Sequence, residues 1–157
     1  MRDQGSDEQD NDDDGPVLRL LAVHQLPAPH WPYQCHFVDQ FDEQAEDAQP
    51  GCGGTKYLAY LDKMGATGRE SCHYHRSDWW AVAEAAQDLL AQHGPRPDMD
   101  VIAPAVDALP LSTTDKRWLY SIFADPIVVG SDGTFINGQH RGCALRFSGW
   151  PVAVISN

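Results

Sequence analysis

The chain has 157 residues, 42% of them hydrophobic, and a formal net charge of −12. This length and apolar content suit one compact domain with a buried core, and no apolar run is long enough to cross a bilayer. The eleven Lys and Arg residues are dispersed, which disfavours a broad surface for nucleic-acid phosphates. Because the N-terminus is acidic and lacks a secretory signal, we expect a soluble, cytoplasmic protein with no membrane partner.

Residues 1–15 are predicted to form a disordered acidic tail. Residues 1–14 carry seven acidic side chains against Arg2, which is half of the total charge. So few apolar groups cannot offset the entropy that is lost on ordering. Residues 16–157 are then predicted to form a single domain whose N-terminal half is rich in loops.

That N-terminal half contains few regular elements. Residues 17–23 are predicted to form a strand, which the proline-rich segment 26–32 ends. A second short strand is expected near residues 34–38, and residues 57–61 have the apolar spacing of a brief helix.

Cysteine and histidine residues are concentrated in the same half of the chain: Cys35, His36, Cys52, Cys72, His73 and His75. Thiolate and imidazole are the ligands that zinc prefers. However, the Cys-x-x-Cys spacing of a zinc knuckle is missing, and reduced cysteines are the rule in a cytosolic protein. We therefore assign no metal ligands and treat zinc as the less favoured interpretation.

The clearest helix lies between residues 77 and 94, with Ser77 predicted as its N-cap. One face is apolar and is expected to be buried: Trp79, Val82, Ala83, Ala86, Leu89 and Leu90. Adjacent Trp79 and Trp80 point about 100° apart on a helix, so one is expected in the core and the other partly exposed. Residues 99–103 form a short apolar run. A further helix is expected over residues 114–123, capped by Ser112 or Thr113 and ended by Asp125-Pro126.

The last thirty residues predict the order strand, turn, strand, helix, strand. The helix is expected to begin near Gln139, to bury Cys143, Ala144, Leu145 and Phe147, and to end at Gly149 in the left-handed conformation. The fold class is therefore predicted to be α+β, or α/β, with a small mixed sheet and about three helices. The amides and dipole at the helix start attract anions. Gly138, Gln139, His140 and Arg141 lie there and form the candidate phosphate site.

Residues 125–155 resemble the core of the ParB/sulfiredoxin-like superfamily. The matching segments are 125–129, 132–141, 143–146, Gly149 and 151–154. In that superfamily a Pro-Ile-Val-Val strand precedes a second strand that ends in an Asp/Glu-Gly-x-His/Arg-Arg box. A helix rich in alanine and arginine, a glycine and a strand that begins with proline then follow.

This resemblance implies binding of a nucleotide of the ATP or CTP class, with or without Mg²⁺, or of a phosphorylated small molecule. Gly138 would let the backbone approach phosphate, Gln139 would donate to it, and Arg141 would clamp its oxygens. His140 would bind phosphate or move a proton, so that His140 and Arg141 are the candidate catalytic residues. The implied protein is a stand-alone binding domain, a phosphotransferase or a nucleotide hydrolase.

Three departures from the superfamily pattern narrow this implication. The reactive cysteine of sulfiredoxins is replaced by Gln139, and Cys143 is expected on the buried side of the helix. We therefore set cysteine-dependent reduction aside. No helix-turn-helix follows the core, so we expect no sequence-specific DNA binding. Asn137 replaces the acid that is common before the glycine.

The same residues also permit simpler interpretations. Arg141 can pair with an acid, His140 can fill a surface groove, and the glycines can serve tight packing. Asp107, Asp115 and Asp125 are candidates for a general base, but turn and cap positions explain them equally well. The alternative function is a non-catalytic acidic interaction protein, either partner-binding or DNA-mimicking, with or without a structural zinc.

Overall fold

The computed structural model describes residues 15–27 and 74–156, which form a four-stranded mixed sheet and four α-helices. The predicted α+β class is confirmed. Residues 1–14 of the predicted tail, the elements near residues 34–38 and 57–61, and all the zinc candidates except His75 lie outside the described residues.

The described elements have the following bounds in chain order: β1 (Leu18–Ala22), α1 (Trp79–His93), α2 (Met99–Ala108), α3 (Thr113–Ala124), β2 (Ile127–Val129), β3 (Phe135–Asn137), α4 (Gln139–Ser148) and β4 (Val152–Ser156). A short 3-10 helix over Val23–Gln25 follows β1. No helix in the described ranges is both long and apolar enough to span a membrane.

The sheet has the strand order β1-β4-β2-β3. β4 is antiparallel to β1 and parallel to β2, while β3 returns antiparallel to β2. A parallel pair requires a crossover connection, which β3 and α4 provide between β2 and β4. This connection places the start of α4 beside the end of α3 and the start of β2.

The predicted N-cap of α1 is wrong by one residue. Asp78, not Ser77, is the N-cap, because its carboxylate accepts the Ala81 N–H at 3.1 Å. The buried face is as predicted except that Leu90 is only partly buried. Trp79 is 3% exposed and Trp80 is 49% exposed, so the expected division between the two tryptophans is confirmed.

Helix α2 was not predicted, since its residues 99–103 gave only an apolar run. Asp98 caps it by accepting the Asp100 N–H at 2.9 Å. Ile102 and Val106, four residues apart, are buried on its inner face. Pro104 lies inside the helix. Because proline usually disrupts a helix interior, the sequence did not predict a helix at this position.

The other end signals are confirmed. Ser112 caps α3 by accepting the Asp115 N–H at 3.1 Å, and α3 ends before Asp125. Gly149 closes α4 with φ of 82°. Of the residues predicted to be buried by α4, Cys143, Ala144 and Leu145 are buried, whereas Phe147 is only partly buried.

Candidate functional site

A cleft of about 440 Å³ lies where α3 ends and α4 begins. Its lining includes all four residues of the predicted phosphate site, Gly138, Gln139, His140 and Arg141. The rest of the lining is aromatic or apolar (Tyr74, Trp118, Phe135 and Ile136) and polar (Ser121, Asp125 and Asn137). The predicted site residues therefore share one cavity with residues that are distant in sequence.

Two glycines bring α4 into close contact with β2 and β3. Gly138 has φ of 79°, and a Cβ atom there would lie 2.7 Å from Cγ1 of Ile127. A Cβ atom on Gly142 would lie 2.5 Å from the ring of Phe135. Backbone conformation and packing thus account for both glycines, and the role of Gly138 toward phosphate stays a prediction.

The residues at the start of α4 line this cleft. Gly138 provides no side-chain cap, and its carbonyl oxygen accepts the Gly142 N–H at 2.8 Å as the helix begins. The amides of the first helical turn have no partner within the helix. They are the groups that a bound anion would approach.

Arg141 is buried, with 5% of its surface exposed. Its Nη1 atom donates to the carbonyl oxygen of Ser121 at 2.8 Å and to the Ser121 hydroxyl at 3.3 Å. Its Nη2 atom lies 3.3 Å from Oδ2 of Asp125. Burial lowers the pKa of the Arg141 guanidinium, and the charge of Asp125 opposes this shift. The pairing with an acid that the sequence left open is therefore present.

Asp125 links Asn137, which precedes the candidate phosphate site, to Arg141, the last residue of that site. Its Oδ1 atom accepts from Nδ2 of Asn137 at 2.7 Å, while Oδ2 faces Arg141. Asn137 also donates to the carbonyl oxygen of Pro126 at 2.9 Å. The Asp125 side chain remains 72% exposed at the cleft, so a fixed carboxylate is accessible to a ligand.

Three aromatic rings stack beside the start of α4. The Tyr74 ring stacks on His140, with centroids 4.7 Å apart and planes inclined by 11°. It also stacks on Trp118, with centroids 4.9 Å apart and planes inclined by 30°. We refer to His140, Tyr74 and Trp118 as the aromatic stack. The aromatic stack forms one side of the cleft and holds the His140 imidazole in place.

The three candidate bases differ in burial and in whether they line the cleft. Asp115 is buried and is used in capping, because its carboxylate accepts from the Ser112 hydroxyl at 2.6 Å and from the Asp78 N–H at 3.1 Å. Asp107 is exposed, and neither residue lines the cleft. Asp125 is the one of the three that does.

No group of three or more potential metal ligands occurs among residues 15–27 and 74–156. Cys143 is buried, and its Sγ atom lies 3.6 Å from Nε2 of His75. The remaining zinc candidates lie outside these ranges.

Tyr74, Trp118 and Ser121 were missed as cleft residues. Tyr74 precedes the first helix that the sequence predicts clearly, and Trp118 also belongs to the buried core. The one signal available was the apolar ring of Tyr74 in an otherwise polar segment.

Comparison of the chain with protein-family models, with curated proteins and with solved structures gave no match.

Proposed function

We propose that the cleft binds a nucleotide or another phosphorylated small molecule. The observation that carries this proposal is the meeting, in one cavity, of the uncapped start of α4 with the aromatic stack. Helix amides and the helix dipole stabilise a phosphate, and flat rings favour a planar base. The ParB/sulfiredoxin-like resemblance of residues 125–155 supports the same ligand class.

In this proposal the phosphate lies at the amides of residues 139–141, and Gln139 donates to it from its side chain. The base packs against the rings of the aromatic stack. Arg141 positions the site, since both of its terminal nitrogens contact Ser121 or Asp125. It neutralises the adjacent carboxylate and leaves direct phosphate contact mainly to the backbone.

If the site is catalytic, phosphoryl transfer or nucleotide hydrolysis is the reaction class that fits. His140 is the proton-handling group at the proposed phosphate and would donate to a phosphate oxygen, whereas the Asp125 carboxylate faces Arg141 and Asn137. Binding of the nucleotide is the prior step and is tested first.

The test is a thermal unfolding experiment with ATP, CTP, GTP and UTP, each with and without Mg²⁺. A nucleotide present at 100 times its Kd stabilises the folded state by about 2.7 kcal/mol, which raises the Tm by several degrees. An unchanged Tm across the whole panel contradicts nucleotide binding and favours the non-catalytic interaction protein.

A charge variant at the helix start sharpens this test. Gln139→Glu places an anion where phosphate is proposed to lie, yet an acid in the first turn of a helix is favourable for the helix dipole. We therefore expect an unchanged or slightly raised Tm without ligand, together with a loss of nucleotide binding. Gln87→Glu on α1, outside the cleft lining, is the matched control and should bind as the unaltered protein does. Equal binding by the two variants would contradict the placement of the phosphate.

A further inference from the structure

Resting on the proposed function, we infer that the Asp125 carboxylate recognises the sugar of the bound nucleotide. In this inference the ligand is a ribonucleotide, and its vicinal ribose hydroxyls donate to Asp125. The phosphate lies at the start of α4, and the ribose lies between that phosphate and the aromatic stack.

The first argument is that the carboxylate is both fixed and accessible. Asn137 Nδ2 holds Oδ1 at 2.7 Å, and Arg141 Nη2 faces Oδ2 at 3.3 Å. An ionised carboxylate offers about four acceptor positions, of which these contacts use two. Because the side chain is 72% exposed and lines the cleft, the remaining positions can accept from a ligand.

The second argument concerns the charge of the ligand group. Asp125 already faces the guanidinium of Arg141, so a cationic group would compete with Arg141 for Oδ2. A phosphate in direct contact with the carboxylate would be repelled, so the anionic part of the ligand is assigned to the helix amides and not to Asp125. A neutral donor such as a hydroxyl gains a charge-assisted hydrogen bond and disturbs neither partner.

The third argument is spatial. Asn137 immediately precedes Gly138, and Arg141 lies in the first turn of α4, so their shared partner Asp125 stands beside the start of that helix. The anion site and the carboxylate open into one cavity of about 440 Å³, a volume within the range of small-molecule sites. One sugar phosphate can therefore reach both groups.

The test measures calorimetric affinities of the unaltered protein for ATP, 2′-deoxy-ATP and 3′-deoxy-ATP, and for CTP and 2′-deoxy-CTP. We expect each deoxy form of the preferred nucleotide to bind about 10-fold more weakly, since a site built to accept a hydroxyl loses that hydrogen bond. Equal affinities for the ribose and deoxyribose forms would overturn the inference and leave the proposed function intact. If none of the five nucleotides binds and none of the four nucleotides of the thermal unfolding panel raises the Tm, the proposed nucleotide binding itself fails.

Asp125→Asn provides a second, independent arm. The amide keeps the size of the side chain but removes its charge and one of its two acceptor oxygens. We expect the ratio of ribonucleotide to deoxynucleotide affinity to fall from about 10 to about 1 in this variant, because the hydroxyl loses its charged acceptor. Retained deoxynucleotide binding also shows that the variant is folded. Undiminished discrimination against the deoxy form in this variant would overturn the role of Asp125.

Discussion

The carbonyl oxygen of Ser121 accepts a hydrogen bond from Nη1 of Arg141 at 2.8 Å, across 20 positions of sequence. Ser121 lies in the last turn of α3, and Arg141 lies in the first turn of α4. The guanidinium therefore places a positive charge at the C-terminal carbonyls of α3, where the helix dipole is negative. Arg141 holds the two helix ends together at the floor of the cleft.

Arg141→Met should consequently destabilise the protein in the absence of any ligand. The methionine keeps much of the apolar volume but leaves the Ser121 carbonyl without its charged donor, so we expect a loss of about 2–3 kcal/mol. Urea unfolding monitored by circular dichroism measures this loss. Arg117→Met is the matched control, because Arg117 is exposed and its Cζ atom lies 5.8 Å from the centroid of the Trp118 ring. This substitution should lower the free energy of unfolding by less than about 1 kcal/mol. Equal costs for the two variants would show that Arg141 does not join the helices.

This role changes how a loss of binding in an Arg141 variant must be interpreted. Weaker nucleotide binding by such a variant would follow from a displaced helix start as readily as from a lost phosphate contact. Gln139 and Asp125 are therefore the better positions for testing the ligand.

Gly138→Ala and Gly133→Ala should separate backbone strain from crowding. The two glycines have nearly equal φ values of 79° and 77°, but only Gly138 has atoms near the place of a Cβ. We expect about 1–2 kcal/mol of strain at Gly133 and a further 1–3 kcal/mol of overpacking against Ile127 at Gly138. Chemical denaturation of both variants gives the difference. A Gly138 variant as stable as the Gly133 variant would mean that β2 yields to the new methyl group.

Asp115→Ala should cost about 2–3 kcal/mol, because the carboxylate is buried and accepts from two donors at the starts of α1 and α3. Asp107→Ala, at an exposed position near the end of α2, should change stability by less than about 0.5 kcal/mol. Nucleotide affinity of the Asp115 variant, measured where the protein remains folded, should be unchanged. A selective loss of turnover in that variant would instead restore Asp115 as a candidate base.

The two adjacent tryptophans should respond very differently to truncation. Trp79→Ala removes a buried ring and is expected to cost about 3–5 kcal/mol. Trp80→Ala removes a half-exposed ring that meets Trp150 edge-on, and should cost no more than about 1.5 kcal/mol. The midpoints of urea unfolding decide the order, and the reverse order would contradict the assignment of the buried face of α1.

Local sequence signals predicted much of the fold around the site. The Ser112 cap, the Asp125-Pro126 break and the left-handed Gly149 each act within a few residues, so their physical basis is visible in the sequence. The exceptions are also local. Ser77 and Asp78 are adjacent and both have side chains that can cap a helix, and Pro104 within α2 argued against a helix there.

The interior of the site was less predictable, because its contacts join residues that are far apart in sequence. Residues 138–141 were placed at a helix start from the pattern alone. Nothing in the sequence indicated that Tyr74 would stack on His140, or that Ser121 and Asp125 would receive the Arg141 guanidinium. Such pairings depend on how α3 and α4 are packed, which no local preference specifies.

The pairing of β1 with β4 has a consequence for how the chain can be reconnected. Leu18 lies opposite Ser156, so the first and last described strands are neighbours in the sheet. A circular permutant that links residue 156 to residue 17 by a short glycine-rich connector would turn the most distant pairing in the sheet into a hairpin. New termini at the exposed turn 131–133 would place β3 and α4 at the start of the permuted chain, and α3 and β2 at its end. Such a permutant would show whether the cleft assembles when α3 and α4 belong to opposite ends of the polypeptide.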